Sequence, residues 1–433
     1  MEEQQCLFCF LTSYYQKKIM KLAQLQEEKF EDILERYRRI FMAKLAVVLD
    51  VPICKKHSKI FQGNIILSNI RNNKKLIWIL ETFFDNLIEI YKLWISGKAF
   101  LGIAKLKKVL KTNHLFKEET FNIEESLFFR GRKNNNKILN RYEMFHIPYD
   151  KRYLVGNQRF SLSGFPLLYL SSSINGVKLE LDIADTSFYD YSFSSFHFNK
   201  KSKIYSLDNP FRIYFEKVKK NEERGVIIVN YPVAMNILKE KLLKLILSSI
   251  CLFEKRVSHK RQEKSGMNIF YEEYIIPQAL TQVLKIEEYD GIFYPSTRIE
   301  IEKDSELLDI NGFNIAYFPE YKADRHYDDT LFTNLDISVP LNFSESEKFI
   351  FANEDDFQAL DEIFKKIGSK INIDNNNIGD KFLNLHRIYL KHNNYKKDDQ
   401  NENKECFKKF EKTIIYNFLL KNLLDLENER RKL

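Results

Sequence analysis

The residues with the clearest chemical potential fall in three runs between positions 127 and 319. LFFRGR carries Arg130 and Arg132. NQRFSLSGFPLLYLSSSINGVKLELD carries Arg159, Tyr169, Ser171 and Glu180. EYIIPQALTQVL, followed by YDGIFYPSTR, carries Gln278, Tyr294, Ser296 and Arg298. A guanidinium pairs through two N–H groups with a phosphate or carboxylate. A carboxylate stabilises positive charge that develops in a transition state. Tyrosines such as Tyr142 and Tyr169 offer flat apolar faces with a polar tip. A serine after a proline, as in Pro295-Ser296, is as compatible with a simple turn as with a hydrogen bond to substrate.

Two further patterns lie outside this set. Cys6 and Cys9 form C-x-x-C, and Cys54 and His57 form C-x-x-H. These are candidate ligands of a Cys3His zinc site, although buried thiols also serve as small apolar side chains. Arg141 and His146 form R-x4-H, the spacing of RNA-cleaving HEPN helical domains. That site needs a helix, and Ile147-Pro148 follows immediately, which turns the chain away from helix. No G-x-G-x-x-G run is present to cradle a dinucleotide as a redox cofactor.

The elements that must carry these residues follow from periodicity. Phe30, Ile33, Leu34, Tyr37, Ile40, Phe41 and Leu45 recur at helical spacing. Leu76–Ile95 is the most apolar stretch, but it holds Glu81, Asp85, Glu89 and Lys92, so it reads as a packed helix rather than a bilayer span. Gly97 is its expected C-terminal stop. A third, basic helix is expected over 101–111. From about residue 121 strands mix with helices. Strands are expected at the end of 161–171, over 224–233 and over 313–319, and a helix over 233–253. VKLELDIA (177–184) fits either a strand or a helix end. Helical spacing returns at 355–371 and between Phe407 and Arg430, where core packing within the chain is the expected use.

Composition bounds the class. With 433 residues, two to three domains are expected. Hydrophobic residues at 44% and aromatics at 14% exclude wholesale disorder. Only 13 glycines and 9 prolines exclude collagen-like and low-complexity architectures. Five cysteines are too few to staple a chain of this size. With no secretory pattern after Met1, a reducing, cytoplasmic setting is expected. The net charge of +8 permits an anionic ligand without requiring one. Lys55, Lys56, Lys105, Lys107, Lys108 and Lys111 read as a solvated face ahead of a nucleic-acid surface.

Together the three runs resemble the RES domain, a family named for its arginine, glutamate and serine. Arg130 matches the family arginine, with Arg132 as the alternative. Glu180 matches the glutamate and Ser296 the serine. Arg159, Gly164, Pro166 and Tyr169 match the turn-and-strand block, and Gln278 fits a segment of the larger members. The resemblance covers roughly 190 of 433 residues. It implies an α+β fold with an ADP-ribosyltransferase-like mixed β core, flanked by N- and C-terminal helical regions. The implied boundaries are a helical, HEPN-like domain over 1–120, the RES-like domain over 121–345, and a helical extension over 346–433.

The implied activity is that of a toxin, in bacterial toxin–antitoxin or anti-phage defence, which cleaves the nicotinamide–ribose bond of NAD by hydrolysis or phosphorolysis. Arg130, Glu180 and Ser296 would act in catalysis; Arg132, Tyr142, Arg159 and Tyr169 would bind NAD. NAD would be substrate, and no metal is expected in the reaction. An antitoxin or a second copy is an expected partner; a membrane is not, and nucleic acid is disfavoured. The competing readings are an RNA-binding or RNA-cleaving HEPN-type protein and an ADP-ribosyltransferase acting on a macromolecule.

Overall fold

Apolar side chains every three or four residues give a helix that hides one face, and the N-terminal part of the chain uses this repeatedly. The computed structural model describes residues 6–24, 28–57, 70–71, 73–116, 122–212, 231–256, 270–298, 312–342, 362, 387–388, 410–417 and 419–420. They fall into two compact units, both built from discontinuous stretches of chain. The first comprises Met1–Glu119, Val155–Phe165 and Tyr205–Asn311; the second comprises Thr120–Leu154, Pro166–Ile204 and Gly312–Leu433. The units therefore cut across the three consecutive segments expected from the sequence. Stretches 155–165 and 205–311 join the N-terminal helices, and the C-terminal segment joins the sheet.

Unit 1 contains α1 (Leu7–Phe10), α2 (Ser13–Ala23), α3 (Phe30–Leu49), α4 (Lys74–Ile95) and α5 (Ala99–Thr112). Phe30, Ile33, Leu34, Tyr37, Phe41 and Leu45 of α3 are all buried, as their spacing requires. Within α4, Leu80, Phe83, Phe84, Leu87, Ile88 and Tyr91 are buried, while Glu81, Asp85, Glu89 and Lys92 face solvent. Among the described residues no helix is long and apolar enough to cross a membrane. Beyond α4, Gly97 adopts φ +77°, where a side chain would be strained, and the Lys98 N–H bonds back to Leu93 O at 2.9 Å. The core is aromatic: Tyr37 meets Phe84 and Phe253 edge-on at 5.7 and 5.4 Å.

Later in the chain this unit adds β4 (Ile204–Ser206), the helices α7 (Tyr231–Cys251) and α8 (Ile275–Ile286), and β5 (Gly291–Pro295), which pairs with β4. Residues 224–230 of the expected strand lie outside the described residues, and 231–233 are helical. The basic face of α5 is partly neutralised, because Lys105 pairs with Glu89 and Lys107 with Glu287.

Unit 2 is organised on an antiparallel sheet. Its strands are β1 (Leu127–Lys133), β2 (Leu168–Ser171), β3 (Tyr191–Phe198), β6 (Phe313–Tyr317), β7 (Leu335–Ile337) and β8 (Leu341–Asn342). The order is β6-β2-β1-β3-β7, with β8 also on β3. With the helices, these strands make the fold α+β. The 177–184 stretch resolves as a helix end: α6 (Ile174–Glu180) packs on β1 and β2. A short helix, α9 (Asp329–Thr333), precedes β7. The expected helix at 355–371 lies outside the described residues apart from residue 362. The tail is helical at 410–417 and packs inward, with Phe410 edge-on to Phe193 at 5.6 Å. Glu411 Oε2 accepts the Ile174 N–H at 2.8 Å, which satisfies an orphan donor at the start of α6.

Gly131 of β1 lies under α6. A Cβ at this position would sit 2.8 Å from both Val177 Cγ1 and Phe193 Cε1. Gly131→Ala is therefore expected to destabilise unit 2 by about 1–3 kcal/mol through overpacking. A urea titration should show this as a lower midpoint with an unchanged slope.

Candidate functional site

Side chains alternate between the two faces of a strand, so register decides which of the candidate residues can meet. Phe129 pairs with Ser171, and Ser171 pairs with Asn314. These residues therefore share one face with Gly131 and Tyr169, and α6 covers it. Arg130 and Arg132 point to the other face, opposite Ser194 and Ser192 of β3.

On the face under α6, Glu180 closes the helix and is half-buried. Asn314 Nδ2 donates to Glu180 Oε1 at 2.7 Å. This bond fixes the orientation of the amide, because a carboxylate can only accept. The Asn314 Oδ1 is then left buried with no hydrogen-bond partner among the described residues. An unsatisfied buried carbonyl costs roughly 1–3 kcal/mol and asks for a donor from outside. Tyr169 stands on the same face, two residues from Ser171.

On the opposite face, Arg130 Nη1 is buried without a hydrogen-bond partner among the described residues, and so is Ser194 Oγ directly across from it. Burial, and then the charge of Arg132, lower the Arg130 guanidinium to about 10, so it remains a cation near neutrality. Arg132 donates to the Glu143 carbonyl. Beside them His146 is fully buried. Its Nδ1 lies 2.8 Å from Ile147 O, and its Nε2 accepts the Asp328 N–H at 3.1 Å. Desolvation lowers His146 to about 4, despite the hydrogen bond to Ile147. Tyr142 stacks on Phe332 with centroids 4.0 Å apart and planes 5° from parallel, so one of its faces is already taken.

Unit 1 holds the remaining candidates. Arg159 is buried and donates from Nη1 to Cys251 O at 2.9 Å and Phe253 O at 2.8 Å. Its guanidinium lies 5.0 Å from the Tyr274 ring centroid. Arg159 thus caps the end of α7, a structural task that leaves little of it for a ligand. Gln278 Nε2 holds Asn157 Oδ1 at 2.9 Å. Ser296 is buried and accepts the Arg298 N–H at 3.3 Å. It lines a cavity together with Gln16, Lys17, Lys21, Ser249 and Thr297. There Lys17 pairs with Glu254 at 3.2 Å and donates to Thr297 O at 3.0 Å.

The expected set therefore divides into three groups. Glu180 and Tyr169 share one face of the unit 2 sheet. Arg130, Arg132 and Tyr142 gather on the other side. Arg159 and Ser296 belong to unit 1. The resemblance implies that Arg130 or Arg132, Glu180 and Ser296 act in one pocket; the two arginines lie instead on the face of the sheet opposite Glu180, because β1 is an interior strand and its pleat separates them. The R-x4-H pair is not a helical nuclease site: residues 141–146 form turns and bends, and both His146 nitrogens are engaged. Asn314 and Ser194 were absent from the sequence expectations. The available signal for Asn314 was an amide inside the otherwise apolar run FNIAYF.

His146 generates a pH prediction. Its folded-state value lies below the unfolded 6.5, so the unfolded chain binds the proton first. Its contribution is present above about pH 6.5 and is lost as pH falls towards about 4, on the order of 3 kcal/mol in all. His146→Gln should be less stable than wild type at pH 7. The gap in urea midpoint between the two should narrow steadily as pH falls through that window.

One curated relative is 32% identical over 236 residues, the protein named "Putative toxin YopC" from Bacillus subtilis (strain 168). The alignment takes in 51% of this chain and 49% of that protein, so the chain spans about half the length of the relative it matches. No family model matches the chain, and no solved structure does.

Proposed function

We propose that this chain is an NAD-degrading enzyme of toxin type, acting in bacterial toxin–antitoxin or anti-phage defence. The observation that carries the reading is the Glu180–Asn314 pair: a half-buried carboxylate oriented by an amide whose own oxygen has no partner among the described residues. Two lines support it. The Arg, Glu and Ser runs stand in the order of the RES family. The Bacillus protein, about half of which aligns with this chain, carries a toxin name.

The chemistry follows from the bond broken. The nicotinamide nitrogen leaves with the electron pair of its bond to the ribose C1′, and positive charge develops on the ribose. A water or phosphate oxygen then forms the new bond to C1′; water gives up a proton. In this reading Glu180 is the fixed anion that faces that charge and holds a ribose hydroxyl. Asn314 keeps the carboxylate in place and offers Oδ1 to a second donor of the substrate. Tyr169, on the same face and two residues from Ser171, is the half-buried aromatic surface assigned to the nicotinamide. In this reading Arg130 and Arg132, on the far side of the sheet, take no part in the scission.

The test is to incubate the purified full chain with NAD and follow free nicotinamide chromatographically, with and without phosphate. Wild type should release nicotinamide, and Glu180→Gln should lower the rate by about 100-fold or more. Asn314→Ala should lose at least about tenfold while the protein stays folded. An inert wild type, or a Glu180→Gln variant as fast as wild type, overturns the reading. Transfer of label from NAD to a protein or RNA, in place of nicotinamide release to water or phosphate, would assign the chain to macromolecular ADP-ribosylation instead. Expressed in bacteria, wild type should arrest growth and Glu180→Gln should not.

A further inference from the structure

The geometry points to a structural zinc ion bound by Cys6, Cys9, Cys54 and His57 in unit 1, a site independent of the NAD chemistry. The four residues come from two short segments. Cys6 stands immediately before α1 and Cys9 lies within it, so one helical turn brings both thiols to the same side. A 3-10 turn over Lys55–His57, with the His57 N–H on Cys54 O at 3.0 Å, does the same for Cys54 and His57.

The four donor atoms make a nearly regular tetrahedron. The sulfur–sulfur edges are 3.7 Å for Cys6–Cys9, 3.6 Å for Cys6–Cys54 and 3.8 Å for Cys9–Cys54. His57 Nδ1 lies 3.5, 3.4 and 3.3 Å from the sulfurs of Cys6, Cys9 and Cys54. With Zn–S at about 2.3 Å and Zn–N at about 2.0–2.1 Å, tetrahedral coordination sets sulfur–sulfur edges of about 3.8 Å and sulfur–nitrogen edges of about 3.5 Å. All six edges agree with these values to within about 0.2 Å.

Hydrogen bonding alone does not account for the cluster. Three thiols and one ring nitrogen supply at most four protons along these edges, and six edges are short. Disulfide pairing would use an even number of sulfurs and leave the third thiol and the imidazole aside; all three cysteines are free. Softness selects the ion: three thiolates and an imidazole in a tetrahedron suit zinc, not calcium or magnesium. Cys6 and His57 are buried while Cys9 and Cys54 are half-buried, so the donor set is closed, with no position left for a substrate. The ion would tie α1 to the segment that follows α3, and its binding energy would be folding energy for this end of unit 1.

The test uses the full chain expressed in zinc-supplemented medium. Elemental analysis should find about one zinc per chain. Cys54→Ser should lose that zinc and melt at a lower temperature, whereas Cys251→Ser, whose buried thiol lies outside the cluster, should retain it. Because Cys54→Ser risks not folding, wild type grown with cobalt provides a second measurement. It should show the intense visible bands of tetrahedral cobalt and a thiolate-to-cobalt charge-transfer band. Wild type that contains no zinc and gives no cobalt–thiolate spectrum overturns the proposal, as does equal zinc in Cys54→Ser and wild type.

Discussion

The pleat of β1 governs what unit 2 can do. A strand paired on both sides sends successive side chains to opposite faces, and a one-residue slip would exchange the two sets. Seven consecutive pairs with β3, from Leu127↔His197 to Lys133↔Tyr191, fix that register. Gly131 is small because α6 presses on its face, and Arg130 and Arg132 are thereby committed to the other. The cationic side of the sheet and the side carrying Glu180 are thus separated by backbone hydrogen bonding, whatever ligand either side receives.

Two kinds of unsatisfied polar group result, and they differ in what they demand. Arg130 holds its charge in a buried place with Arg132 beside it, so only an anion or ordered water relieves it. Around it the structure is already locked. His146 bridges Ile147 and Asp328, Tyr149 donates to Glu320 O at 2.7 Å, and Tyr142 is stacked against Phe332. The Asn314 oxygen is a neutral acceptor beside a carboxylate, where a hydroxyl donor satisfies one group and is activated or held by the other. That asymmetry is why the carboxylate side, and not the arginine side, is assigned the ribose.

Helices and sheet were unequally legible. The α3 and α4 stripes were readable because a solvated helix needs a continuous apolar face, and burial follows the expected α3 stripe at every position but Ile40, which is half-buried. β2 and β6 were readable as short apolar runs after turns. β1 and β3 were harder: β3, YSFSSFHF, is buried along nearly its whole length, so its serines mask the alternation that marks a half-exposed strand. Position within a motif could place Glu180 and Arg130 in order along the chain. It could not say which face each would occupy, since that depends on pairing with strands far away in sequence. Arg159 shows the same limit from the other direction: the resemblance implied an NAD contact, yet α7, more than 70 residues later, and the residues just after it supply the carbonyls it caps.

The cysteine cluster shows the reverse case, in which local spacing carries nearly the whole geometry. C-x-x-C across the start of a helix and C-x-x-H around a tight turn each preset two donors. Only one long-range event, the meeting of α1 with the segment after α3, is then needed to complete the tetrahedron. Folding could achieve that meeting through apolar contact alone, and Leu7, Phe8 and Phe10 are all buried. Apolar contact, however, is tolerant of small shifts, whereas six edges matched to one ionic radius are not. Four polar donors converging on a common centre would lose hydration without compensation unless something at that centre accepts their lone pairs. A helix of four residues is also too short to hold its own shape in water. α1 therefore requires an external anchor, and a metal centre at its first turn would be the strongest one its side chains can form.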